Sequence, residues 1–398
     1  MKIVSNRLFF IDAMRAWAIL MMLQGHFIDG LLDPIFRNLD NTIYSVWLYF
    51  RGITAPVFFT VSGFIFTYLL LRSPHQGSDN PRIKKGIRRG LQLLLIGYTL
   101  RLNVWGLFYG EIYGGFYLVD VLHCIGLSLL VIIGFYQLTL TKRPFWFPLL
   151  LIGSTLLLFL FEPIYKQWSF AFLPTGIANY FTKANGSVFT IIPWLGYTTL
   201  GAGLSIIFKR FGNFRYLYPT FILFALALGL FLVYLSSPLF VALYKITEWE
   251  LFALIKLNNY LFIRLGDVFI VFAVFMSIRK YLINNLLLKI GSCTLATYVI
   301  HFIILYGSFT GLGLYKFFHH ELTPWVAVVG AICFMIICTF LALAYHKREA
   351  TIKKRVSIYT EQGKTHLISS FDKQIPILKN VLNKLRIRVL RLLASSRI

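Results

Sequence analysis

Residues 325–345 read WVAVVGAICFMIICTFLALAY, a run without one Asp, Glu, Lys, Arg or His. A hydrocarbon core about 30 Å thick is crossed by about 20 such residues when they are helical. Lipid offers no partner to a backbone amide, so a run this long is expected to satisfy its own amides as a helix. Similar runs recur outward from it, at 290–310, 261–278, 217–235, 188–208, 145–161, 117–138, 89–108, 52–71 and 9–32. The other membrane architecture, a β-barrel, needs segments of about ten residues with alternating polarity, and these runs do not alternate. The expectation is an all-α polytopic membrane protein with about ten transmembrane helices.

Composition agrees. Of 398 residues, 58% are hydrophobic, 17% aromatic and 14% charged, with mean hydropathy +0.72, whereas soluble domains carry roughly 25% charged residues. The net charge of +24 would suit nucleic acid. The basic residues, however, gather between apolar runs and in the tail, which is the positive-inside pattern and calls for no nucleic-acid partner. With Lys2 and Arg7 in the cytoplasm, the basic segments 72–89, 142–143, 209–215 and 279–289 and the tail all fall on that side. The opposite loops hold Glu111, Glu162, Glu248, Glu250 and Glu321. Both termini are therefore expected in the cytoplasm of a bacterial inner or plasma membrane, with membrane lipids as partners. Oligomeric state is not readable from these residues.

Residues 1–346 read as one membrane domain and 347–398 as a basic cytoplasmic tail. From 375 to 393, apolar residues recur at helical spacing among Lys379, Lys384, Arg386, Arg388 and Arg391. That pattern fits an amphipathic helix on the inner leaflet and, equally, a solvated tail helix. The first run lacks a small-residue cleavage site and carries Asp12 and Arg15, so it is expected to stay as a helix rather than leave as a signal peptide. Cys124, Cys293, Cys333 and Cys338 have neither metal-ligand nor disulfide-framework spacing. They are expected to be small packing residues, and no metal is predicted.

Ionisable groups inside spans are costly, so each marks a functional candidate. The first run holds Asp12, Arg15 and His26. Arg15 and His26 are about three helical turns apart, hence on one face and separated by about 16.5 Å along the axis. Asp12 sits one turn from Arg15, at a spacing that permits an ion pair. By the orientation above, His26 lies near the outer end, together with Asp29, Arg51, Arg101, Asn103, Asp120 and His123. The inner end gathers Arg7, Arg15, Arg72, Lys84, Lys85, Arg88 and Arg89. Guanidinium forks suit phosphate oxygens, and an outer histidine suits proton transfer near neutral pH. Together they suggest an acyl donor held by its phosphates below and attacked above. Each part also has a structural reading: a bridging histidine, topology-setting loop charges, and ion pairs Asp12–Arg15 and Arg101–Asp120 that serve stability alone.

Five segments carry a resemblance. They are FFIDAMRAWAILMMLQGHF (9–27), GITAPVFFTVSGF (52–64), VDVLHCIGLS (119–128), IIPWLGYTTLGAGLS (191–205) and GSCTLATYVIHFIIL (291–305). In this order they resemble the transmembrane acyltransferase superfamily, meaning acyltransferase family 3 and the heparan-alpha-glucosaminide N-acetyltransferase-like branch. The likeness runs from about residue 6 to 345. Departures are Ala16 after Arg15, where many branch members have Gly, and His123–Cys124, where a Gln–Arg pair is common.

The resemblance implies transfer of an acyl group, commonly acetyl, from cytoplasmic acyl-CoA to an extracytoplasmic sugar or glycan. It implies His26 as the catalytic residue and Arg15 as stabilising the donor side. His301, one turn after Tyr298, would line the donor tunnel or simply pack. On this reading Lys84, Lys85, Arg88 and Arg89 hold the CoA phosphates. Arg101 stabilises the oxyanion, and Asp120 orients His26 or binds the sugar. Asp12, His123, Trp194, Tyr298 and His301 line the substrate path. Tyr109, Tyr113, Tyr117 and Trp194 either stack on sugar rings or form an interfacial aromatic belt. General-base and acyl-histidine routes both stay open, as do O- and N-acylation. The rival readings are a transporter exporting a glycan or lipid-linked substrate, and a catalytically dead membrane scaffold or sensor that works through its tail helix.

Overall fold

The computed structural model describes residues 8–361 apart from 353, 356 and 359. The expected amphipathic segment 375–393 and Arg7 lie outside the described residues. The chain divides into two units, Met1–Ala342 and Leu343–Ile398. Among the described residues the regular structure is helical, with no strand.

Each expected run contains a helix. The main helices are α1 (Phe9–Leu31), α2 (Thr42–Leu71), α3 (Pro81–Leu100), α4 (Val121–Thr139), α5 (Trp146–Leu160) and α6 (Ile191–Arg210). They continue as α7 (Leu217–Thr247), α8 (Tyr260–Ser277), α9 (Asn285–Ser292), α10 (Thr294–Tyr306) and α11 (Pro324–Ile352). Among the described residues, six helical segments are long and apolar enough to cross a membrane alone, and α9 with α10, bent by 68°, makes a seventh if taken as one span. The expected count of about ten is thus not reached by length and hydropathy. Helix α5 has 15 residues, while α1 and α3 carry charge inside the helix. Apolar side chains such as Leu223, Ile336 and Phe340 point out of the fold, as lipid-facing residues do.

Two helices start earlier than expected, because Asn residues cap them. Asn80 Oδ1 accepts from the Arg82 amide at 2.9 Å and Pro81 fills the first helical position, so α3 begins at Pro81 rather than Arg89. It ends at Leu100, and Asn103 opens a separate short helix, Val104–Phe108. The basic residues from Arg82 to Arg89 therefore ride on helix turns instead of a loop. Their opposite face, Ile83, Gly86, Gly90, Leu93, Gly97 and Leu100, is buried at three- and four-residue spacing. Asn41 likewise accepts from the Ile43 and Tyr44 amides at 3.0 and 3.1 Å, which starts α2 at Thr42 and places Arg51 inside it.

Small residues let the helix backbones touch. A Cβ on Gly63 of α2 would overlap the Thr198 carbonyl oxygen of α6, and one on Gly201 of α6 would overlap the Thr60 carbonyl oxygen of α2. On the other side of α1, Gly291 of α9 sits directly on the Asp12 backbone. Leu23, Phe27 and Leu31 of α1 then pack with Leu305 of α10 and with Ala331 and Phe334 of α11. Cys124, Cys293 and Cys338 are buried as expected of packing residues, but Cys333 is exposed, because it lies on the outward face of α11.

Candidate active site

The bend between α9 and α10 carries α10 along α1, and two contacts tie the helices together. Arg15 Nη2 donates to Thr294 Oγ1 at 3.0 Å, and its Nη1 lies 3.6 Å from Asp12 Oδ1. Further along, His26 Nδ1 lies 3.0 Å from His301 Nε2, and His301 Nδ1 bonds the Tyr298 carbonyl oxygen. From Thr294 to His301 the helix rises about 10.5 Å, against about 16.5 Å from Arg15 to His26. The long Arg15 side chain thus reaches toward the histidines rather than away from them. His301 is fully buried, whereas His26 is half-buried.

Asp120 caps α4. Its carboxylate accepts from the Leu122 amide at 3.2 Å and from Arg101 Nε at 3.1 Å, and His123 Nδ1 lies 3.2 Å from Oδ1. None of these contacts goes to His26, so Asp120 does not orient the catalytic candidate directly as expected; His301 is the partner that touches it. His123 is buried, with its ring against Gly97 and 4.4 Å between ring centroids from Tyr98. It fastens the start of α4 to α3. Arg101 also donates from Nη1 to the Gly115 carbonyl at 3.3 Å and stacks its guanidinium over Phe302. Arg51 forms an ion pair with Asp29, one helical turn beyond His26.

Two cavities meet at His26 and Arg51. The larger, about 670 Å³, is lined by Arg101, Asp120, Asp29 and the rings of Phe302, Tyr306 and Tyr315, with Tyr298 at its edge. The smaller, about 240 Å³, is mostly apolar, lined by Met21, Met22, Ala55, Phe58 and Trp194, with Lys183 also on its wall. Of the expected residues, His26, Arg101, Asp120, Tyr298 and Trp194 therefore face one of these two spaces. Tyr109, Tyr113 and Tyr117 are exposed and line neither. Sequence reasoning missed Lys183, which sits in a polar loop with no periodicity to mark it. It also missed the Tyr306 and Tyr315 rings, which are ordinary aromatics in an apolar run. Partial burial lowers the Lys183 ammonium below the usual lysine range, Lys166 lowers it further, and Glu162 opposes both.

The basic residues form a separate site. A cavity of about 430 Å³ between the end of α2 and the start of α3 is lined by Arg72, Arg82, Lys85, Ser73, Pro74 and Pro81. Lys85 is the only one of the four expected phosphate-binding residues on its wall; Lys84, Arg88 and Arg89 are exposed on α3 and do not line it. Along α2, Arg72 lies about 31 Å from Arg51, so this cavity and the histidine pair are at opposite ends of the fold.

No curated protein matches the chain. The model of one family, described as an acyltransferase domain, matches residues 8–344, from the start of α1 into α11 and through every site above. That match covers most of the chain and all of its motifs, and the chain belongs to acyltransferase family 3, the membrane acyltransferases.

Proposed function

We propose that the protein moves an acyl group from cytoplasmic acyl-CoA to a hydroxyl or amine of an extracytoplasmic sugar or glycan, with His26 as the general base. The observation that carries this reading is the meeting of two cavities at His26. One is polar and aromatic, with ion pairs able to bind hydroxyl groups and rings able to stack on a sugar. The other is narrow and apolar, suited to the thioester end of the donor. Both substrates can then stand at His26 together, which favours direct transfer over an acyl-histidine.

In this scheme the donor phosphates dock on Arg72, Arg82 and Lys85, whose guanidinium forks and ammonium match phosphate oxygens. The flexible pantetheine arm bridges the length between that cavity and Phe58, the deepest α2 residue of the smaller space, about 21 Å away along α2. The acceptor gives its proton to His26 while its oxygen or nitrogen bonds the acyl carbon. The C–S bond breaks, and the CoA thiolate takes the proton from His26. Arg101 faces the developing oxyanion with its guanidinium already fixed by Asp120 and Gly115, so little reorganisation is needed. The positive-inside rule sets the basic end in the cytoplasm.

Transfer from labelled acetyl-CoA in proteoliposomes tests the scheme. His26→Ala is expected to lower the rate by about 10²–10⁴-fold, the usual share of a general base. Activity within a few-fold of the parent would remove His26 from this role.

A further inference from the structure

We infer that His301 is a positioning residue: it holds His26 as the Nδ1–H tautomer, so that the bare Nε2 is the atom that takes the acceptor proton. This rests on the reading of His26 as base. The chain of contacts runs from the Tyr298 carbonyl oxygen to His301 Nδ1, then from His301 Nε2 to His26 Nδ1 at 3.0 Å. A carbonyl oxygen only accepts, so His301 Nδ1 carries a hydrogen. In a neutral pair His301 Nε2 is then a bare acceptor. The hydrogen between the two rings must come from His26 Nδ1, and His26 Nε2 is left without one. Had His301 faced a hydroxyl donor at Tyr298 instead of a carbonyl, the order would reverse and His26 would present N–H to the acceptor.

The geometry keeps this arrangement in place. His301 is fully buried on α10, and the Tyr306 ring packs beside both imidazoles, with centroids 6.2 Å from His26 and 6.4 Å from His301. The His26 ring meets His301 through Nδ1, and the residue lines both cavities. When the acceptor O–H or N–H bond breaks, its proton lands on His26 Nε2. The pair then carries one positive charge, with the shared hydrogen able to sit on either ring. On collapse, with the acyl–sulfur bond broken, His26 Nε2 returns the proton to the thiolate and the starting tautomers are restored.

Nitrogen-15 NMR of histidine-labelled protein in nanodiscs reads the tautomer directly. The parent is expected to show His26 protonated at Nδ1 and bare at Nε2. His301→Leu fills the space but accepts nothing. It is expected to release His26 to the Nε2–H form and to lower kcat by up to about 10⁴-fold, as losing the correct tautomer does in a catalytic triad, with donor KM within about threefold. His301→Gln can accept from His26 with its oxygen and donate to Tyr298 with its amide, and is expected to keep kcat within about tenfold of the parent. A parent with His26 as the Nε2–H tautomer overturns the inference, as does a Gln variant as slow as the Leu variant. By contrast, His26→Ala with normal transfer would sink the base assignment, whatever the tautomer.

Discussion

Arg101 is fixed before any substrate arrives, because Nε is committed to Asp120 and Nη1 to the Gly115 carbonyl. What a lysine would keep at this position is the charge, and what it would lose is the planar fork. Arg101→Lys is therefore expected to lower kcat by about 10²-fold, close to the loss of one oxyanion donor, while stability is nearly kept. A variant with kcat near the parent value would mean that charge alone suffices. Lys183 offers a second test at this scale. Partial burial and Lys166 both lower its ammonium below the ordinary lysine range, so its neutral, nucleophilic form appears at a lower pH than that of a free lysine. Amine-reactive labelling read by mass spectrometry should show this early onset. Glu162→Gln, which removes the one opposing charge, should move the onset lower still, and Lys166→Met should move it up. An onset unmoved by either change would place those charges too far away to matter. Both residues lie on walls that also hold His26, yet only Arg101 could be picked from the sequence. It is an ionisable group inside an apolar run, where few occur and each is costly, whereas Lys183 sits among the polar residues of a loop. The partner of His26 was beyond reach for another reason. His301 is 275 residues away, and only the bend between α9 and α10 brings it alongside.

Helix positions follow from caps and small residues more than from hydropathy. Each apolar run held a helix, but hydropathy could not find the start of α3. Its first turns are basic, and the start signal that matters is Asn80 with Pro81. The same composition effect hid the number of spans, since α1 and α3 carry the charges that the site uses. The α2–α6 seam is the tightest contact that positions the cavities, because α2 supplies Arg51, Ala55 and Phe58 and α6 supplies Trp194. At Gly63 and Gly201 the opposing atom is a backbone carbonyl, which cannot swing aside like a side chain. Gly63→Leu is expected to cost at least the 1–3 kcal/mol typical of overpacking, about 3 kcal/mol or more here. It should lower the thermal midpoint in detergent and abolish transfer together. A folded, active Gly63→Leu protein would show that the two helices can separate without loss. Gly134→Ala, with open space around its Cβ position inside α4, is the control and should keep or slightly raise the midpoint, because alanine favours a helix interior over glycine.

For the molecule as a whole, the separation of the two ends decides how its parts divide the work. The basic cavity sits at the end of α2, and Arg51, which lines both cavities at His26, lies about 31 Å back along the same helix, a distance comparable with the hydrocarbon thickness of about 30 Å. If the donor docks at the basic cavity as proposed, binding energy collected there acts on the reacting atoms only through the donor itself. Changes there should weaken donor binding without touching chemistry, the signature of uniform binding. Arg72→Ala with Arg82→Ala and Lys85→Ala is expected to raise donor KM by about 10-fold or more and leave kcat within about threefold. The triple change Lys84→Ala, Arg88→Ala and Arg89→Ala removes as much charge from positions off the cavity wall. It should move donor KM by less than about threefold at physiological salt. In oriented proteoliposomes the donor should support transfer only when added on the side carrying the basic cavity. Equal KM effects from both triples would mean that the donor feels a diffuse field of charge rather than this cavity. Transfer from donor on either face would mean that the two ends do not separate donor from acceptor.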